Sequence, residues 1–216
     1  MDLLDAFEQE YYYDFMVSSY FLCYRKPVID DADDALREHL AFVGCTLDFV
    51  GNLEAKIDIP LLSRLAETFP DCRLVLVGST HANPEVKSLL RYPNVRMPGV
   101  VPYDRLGAWL SGFDVGLIPH RRMELTRHMN PLKAYVYLAN GVPVVVTAVP
   151  NIEPVPGLLT LATDTETSIA AVSDCLADGR PPRERFEAFS KTHGWATRLG
   201  PHLDAIGLGT AEKEQA

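Results

Sequence analysis

From Thr46 to Ala162 the chain alternates short apolar runs with longer amphipathic stretches, the pattern of βα units feeding a parallel sheet. The runs are Leu47–Val50, Arg73–Val77, Val95–Met97, Val115–Ile118, Val142–Val146 and Leu158–Leu161. Most show no polar alternation, as expected of parallel strands covered on both faces. Candidate helices Ile59–Thr68, Glu85–Leu90, Tyr103–Ser111 and Pro131–Ala139 separate them. Glu166–Ala177 and Arg183–Phe189 read as helices after the last run, and Trp195–Ile206 as a final helix or loop. The predicted fold is α/β: a doubly wound, mostly parallel, Rossmann-like sheet of about six strands, with right-handed crossovers and ligands beyond the carboxyl ends of the strands.

Composition narrows the function classes. A chain of 216 residues can bury one good core but not two domains of about 150 residues each. The net charge of −9 opposes a phosphate backbone, and no local basic patch stands out, so nucleic acid is not an expected partner. Cys23, Cys45, Cys72 and Cys175 lie far apart with no C-x-x-C pair and no closely spaced histidine. That spacing predicts reduced thiols in a cytoplasmic protein and no metal site. Asp2, Asp5, Glu8 and Glu10 stand where a secretory signal would need basic residues, and no uncharged apolar run approaches the roughly 18 residues of a membrane span. The expected division is an aromatic and acidic segment over 1–41, a ligand-binding domain over 42–206 and a flexible tail over 207–216. Tyr11, Phe15, Phe21 and their neighbours crowd Phe7–Tyr24, which is expected to need cover from a second copy or a partner protein.

The most informative stretch runs from Asn130 to Val145. Asn130 suits an N-cap, Pro131 the first helical position and Gly141 a left-handed C-terminal stop. The helix between them would start near the carboxyl end of the strand Val115–Ile118, with free backbone N–H groups toward an anion and Lys133 adding charge in the first turn. A well-capped helix with no ligand is the commoner meaning of such a cap. A second turn, Gly51-Asn52-Leu53 with Lys56 beyond it, follows the first strand directly, and glycine there allows close backbone approach to a ligand. Two anion-suited turns at strand ends strengthen each other. Arg121 is equally a phosphate or sugar contact or a solvated arginine. His128 is more often a polar surface residue than a general acid or base, and Glu124 and Glu153 are as ambiguous, so no catalytic residue is assigned.

Phe49–Leu53, Leu74–Gly78, Pro93–Gly99, Phe113–Pro119, Thr126, Asn130–Val145 and Trp195, in that order and spacing, together resemble the C-terminal nucleotide-sugar-binding domain of retaining GT-B-fold glycosyltransferases. The resemblance covers roughly Phe42 to Ile206 and is specific as a set. It implies transfer of a glycosyl group from a nucleoside-diphosphate sugar, with neither metal nor cofactor. The donor diphosphate would lie among Gly51, Lys56, Leu132 and Lys133, and the base beside Val100, Val101 and Tyr103. The chain departs from the family pattern where a glutamate usually holds the ribose, here Val136, and where a second glutamate touches the donor sugar, here His128. An acceptor is held by a separate domain in this family, and the segment before the first strand is too short to form one. The resemblance therefore implies a fragment, a partner to an acceptor domain, or a noncatalytic nucleotide-binding or interaction module. An epimerase of the same fold is disfavoured, because no clearly placed acid and base pair is found.

Overall fold

The computed structural model describes residues 34–102 and 105–194, with 197, 201, 202 and 205 beyond them. Phe7–Tyr24, Tyr103, Trp195 and the tail lie outside the described residues. Six strands form one sheet: β1 (Thr46–Val50), β2 (Arg73–Val77), β3 (Val95–Gly99), β4 (Val115–Ile118), β5 (Val144–Thr147) and β6 (Leu159–Ala162). Their order is β3-β2-β1-β4-β5-β6 and every pair is parallel. The order reverses between β1 and β4, the switch point where doubly wound sheets open a crevice at the carboxyl ends of their strands.

Among the described residues seven α-helices flank the strands: α1 (Asp34–Leu40), α2 (Ile59–Thr68), α3 (Leu106–Ser111), α4 (Glu124–Arg127), α5 (Lys133–Ala139), α6 (Thr165–Asp178) and α7 (Arg183–His193). Pro84–Arg91 is a 3₁₀ helix where the sequence predicts a short helix over Glu85–Leu90. The two-residue period of the strands splits the core into two layers. Leu47, Phe49, Leu74, Leu76, Val115 and Leu117 pack with α2 and α6, whereas Val75, Val77, Ile118, Val144 and Val146 pack with α1, α3, α5 and α7. The early part of the chain contributes to the second layer through α1, whose Leu36 and His39 are buried. The His39 ring stacks on Trp109 at 4.9 Å and its Nε2 lies 3.1 Å from the Trp109 carbonyl.

One position breaks the apolar pattern of that layer. Asp48 of β1 is fully buried and neither carboxyl oxygen has a hydrogen-bond partner of normal geometry among the described residues. Burial pushes its carboxyl well above the usual range, opposed by the Tyr137 hydroxyl of α5 and the charge of Arg180. Pairing of β1 with β4 stops at Asp48↔Gly116, and just beyond it the Val50 N–H donates to the Tyr137 hydroxyl at 2.7 Å. A Cβ on Gly116 would meet the Tyr137 ring at 2.8 Å, so the absence of a side chain there lets the ring lie flat on β4. Tyr137 thus fills the point where the strands part and ties α5 to the sheet.

The thiol expectation is corrected: Cys45 and Cys72 form a disulfide with their Cα atoms 4.6 Å apart, and Cys175 alone is free among the described residues. Each cysteine directly precedes a strand, and the register Thr46↔Arg73 sets them side by side before the neighbouring strands β1 and β2. The 27-residue separation conceals that adjacency in the sequence.

Candidate functional site

Gly51, Lys56 and Lys133 follow β1 or begin the helix before β5, which sets them toward the carboxyl edge of the sheet. Gly51 ends β1 with φ 137°, and its N–H donates to the Val77 carbonyl at 2.9 Å. A Cβ on Gly51 would fall 2.2 Å from Lys133 Cε and 2.6 Å from Nζ, so the lysine side chain lies directly across this glycine. Its ammonium also sits 5.7 Å from the Phe49 ring centroid. Gly78 ends β2 with φ 142° and carries the carbonyl of Gly51 against its own α-carbon. Its N–H donates to Gly99 at the end of β3, 2.8 Å away, so glycines close three successive strand ends.

Across the switch point the loops after β1 and β4 are laced together. Ile57 and His120 form an antiparallel bridge, the Arg121 N–H donates to the Lys56 carbonyl at 2.7 Å, and the Asp58 N–H donates to the Pro119 carbonyl at 2.8 Å. The Asp58 carboxylate also caps α2 by accepting from Leu61 N–H at 2.9 Å. Lys56 keeps only 16% of its side chain exposed and pairs with Glu54 at 3.3 Å. His120, which sequence reasoning missed, is buried beside these lysines. Burial, then Lys133, then Lys56 push its imidazole down to about 4. The charges of Lys133 and Lys56 thus both act on the buried His120 imidazole.

The remaining candidates are more dispersed. Asn52, Val100, Arg121, His128 and Asn130 are exposed, Val101 and Leu132 are half-buried and Pro131 is buried. His128 ends α4 with Nε2 3.1 Å from Glu124, a pair on the surface. Val136 is partly buried and packs against the apolar layer beneath α5.

The start of α5 corrects one expectation. The N-cap is Leu132 with φ −51°, no side-chain cap is made, and Asn130 and Pro131 precede the helix. The chain enters through a tight turn in which Leu132 N–H donates to Asn130 at 2.8 Å, Ala134 N–H to Pro131 at 2.9 Å and Tyr135 N–H to Leu132 at 3.0 Å. These donors are therefore engaged within the chain, and the seven-residue helix offers less to an anion than the sequence implies. The positive field comes instead from Lys133 and Lys56. The other end matches expectation: Gly141 has φ 73°, and Val142 N–H reaches back to Tyr137 at 3.0 Å in a left-handed stop.

This sheet has the fold of the C-terminal-type half of a GT-B protein. Residues 44–178 match the family model described as glycosyl transferases group 1, and the chain belongs to that family. It is 31% identical over 110 residues to TuaH of Bacillus subtilis, named as a teichuronic acid biosynthesis glycosyltransferase, the match covering 50% of this chain and 28% of TuaH. Among solved structures, sucrose-phosphate synthase from Thermosynechococcus elongatus superposes with a TM-score of 0.61 at 22% identity, over 80% of this chain and 48% of that one. AviGT4, a glycosyltransferase involved in avilamycin A biosynthesis, superposes with a TM-score of 0.59 at 19% identity, over 79% and 53%. The chain spans about half the length of these enzymes.

Proposed function

We propose that this chain binds the diphosphate of a nucleoside-diphosphate sugar at the carboxyl edge of the sheet and serves as the donor half of a glycosyltransferase. The observation that carries this reading is the Lys133 side chain laid across Gly51 at the switch point of the sheet, with Lys56 on the loop that follows and both lysine charges acting on His120. A leaving diphosphate gains negative charge as the glycosyl bond breaks, and two lysines held on separate elements would stabilise that charge without reorganising and without a metal. The exposed Val100 at the end of β3 offers an apolar surface for the base. The likeness to TuaH supports a place in polysaccharide biosynthesis, with the acceptor held by another domain or protein.

Calorimetry with UDP and GDP tests the diphosphate site. Lys133→Ala should weaken binding by roughly ten- to a hundredfold, the loss expected for one charge-assisted contact. Equal affinity in the variant overturns the assignment of Lys133. A second expectation concerns the ribose. Val136→Glu should tighten UDP binding several-fold, and tighten 2′,3′-dideoxy-UDP less, because the carboxylate would accept from the ribose hydroxyls. Unchanged affinity for both would mean that a side chain at the half-buried position 136 stays on the apolar layer, out of reach of the nucleotide.

A further inference from the structure

His120 has no role in the donor reading, yet its position is unusual. It is 3% exposed and its Nε2 is buried with no hydrogen-bond partner among the described residues. An orphaned ring nitrogen is costly in a protein interior, because an unmade hydrogen bond forfeits solvation with nothing in return. The groups around it explain why it stays neutral. Lys56, Glu54 and Asp58 stand on the loop after β1, Lys133 on α5, and Arg121 and Arg122 follow in its own loop. Burial is the first cause of the neutral ring, and Lys133 and then Lys56, which pairs with Glu54, add to it.

We propose that His120 is the proton-taking member of the diphosphate site: a diphosphate entering between Lys56 and Lys133 offsets their charge and offers an acceptor, and the imidazole gains a proton. The inference rests on the diphosphate reading above. No bond to the ligand is made or broken; one proton passes from solvent to the ring, and the bound anion faces three cations rather than two. The empty site would keep His120 neutral because burial, and after it the two lysine charges, disfavour a cation there. Charge is thus added only when its counter-ion arrives.

The sign of the linkage follows. The ring of the unliganded chain titrates at about 4. The charge and acceptor atoms of the bound anion, together with neutralisation of the lysines, raise that value toward the ordinary imidazole value of about 6.5, against the burial that remains. Affinity is then highest below the bound-state value and falls as pH rises through it, and binding at about pH 5 should exceed binding at about pH 8 by roughly ten- to thirtyfold. UDP-glucose and GDP-mannose are the probes, because their diphosphate diesters carry no proton that titrates near neutral pH.

Calorimetry of the full chain across that pH range should give the decline, and His120→Gln should flatten it. The same ring can be followed by proton NMR without substitution: its midpoint should move up by roughly two pH units when the probe is saturating. If a probe binds but the midpoint of His120 stays in place, this inference fails and the donor reading stands. If neither probe binds at any pH, the donor reading fails and takes this inference with it.

Discussion

Gly78→Ala should destabilise the domain by roughly 3–5 kcal/mol, a large share of the 5–15 kcal/mol that holds a domain of this kind together. Two effects add. Residue 78 has φ 142°, a region that side chains with a Cβ rarely adopt, at a strain of about 1–3 kcal/mol. A Cβ there would also strike the carbonyl of Gly51, a backbone atom held in place by the Gly51 N–H bond to Val77 and the Leu53 N–H bond to Ser79 at 3.0 Å. Neither strand end can retreat without breaking ladder bonds. Thermal unfolding should therefore drop by at least about 6–10 °C for a chain of this length. Gly107→Ala is the control: it stands in α3 with nothing within 4 Å of the added atom, and should be neutral or slightly stabilising. Equal melting of the two variants would show that β1 and β2 do not close on each other as described.

Asp48→Asn should make stability less sensitive to alkali. The carboxyl is raised by burial above its ordinary value of 3.8. Below that value both folded and unfolded chains hold the proton and the residue is silent. As pH rises, the unfolded chain releases its proton first, so the wild type loses up to about 1.4 kcal/mol per pH unit until the folded carboxyl also titrates, after which the loss levels off. The amide has no such window. Melting temperatures of wild type and variant should diverge as pH rises from about 4 toward neutrality, by several degrees per unit at first, in favour of the variant. His39 and His120, both lowered mainly by burial, act oppositely by weakening the fold as pH falls, but they are common to both chains and cancel in the difference. Parallel curves would mean that Asp48 is solvated.

The sheet was legible because parallel strands with a layer on each face leave unbroken apolar runs, and Arg73–Val77 and Val115–Ile118 coincide with β2 and β4. Ends were less so: β5 begins at Val144 rather than Val142, since Val142 is spent in the stop of α5. The helix α4 carries one buried residue, Thr126, and so gives no apolar period to read. Gly51 and Lys133 could be singled out because a strand end and a helix start each leave a local signature. His120 left none, being one histidine after a proline, and its meaning arises only when loops from β1 and β4 and the start of α5 converge. Asp48 was equally silent, for in sequence it is a single polar residue inside an apolar run. Asn130 misled, because a capping residue type says nothing of whether the chain enters the helix one turn later.

The two ends of β1 are fastened by different kinds of bond. At its start the Cys45–Cys72 bridge joins it covalently to the neighbouring strand β2, while beyond its end the loop reaches His120 and Arg121 through hydrogen bonds. Such bonds contribute about 1 kcal/mol each and exchange readily with those of an incoming ligand. The strand is therefore a lever anchored at the edge remote from the crevice, and whatever adjustment a ligand demands is confined to the edge where fasteners can be traded.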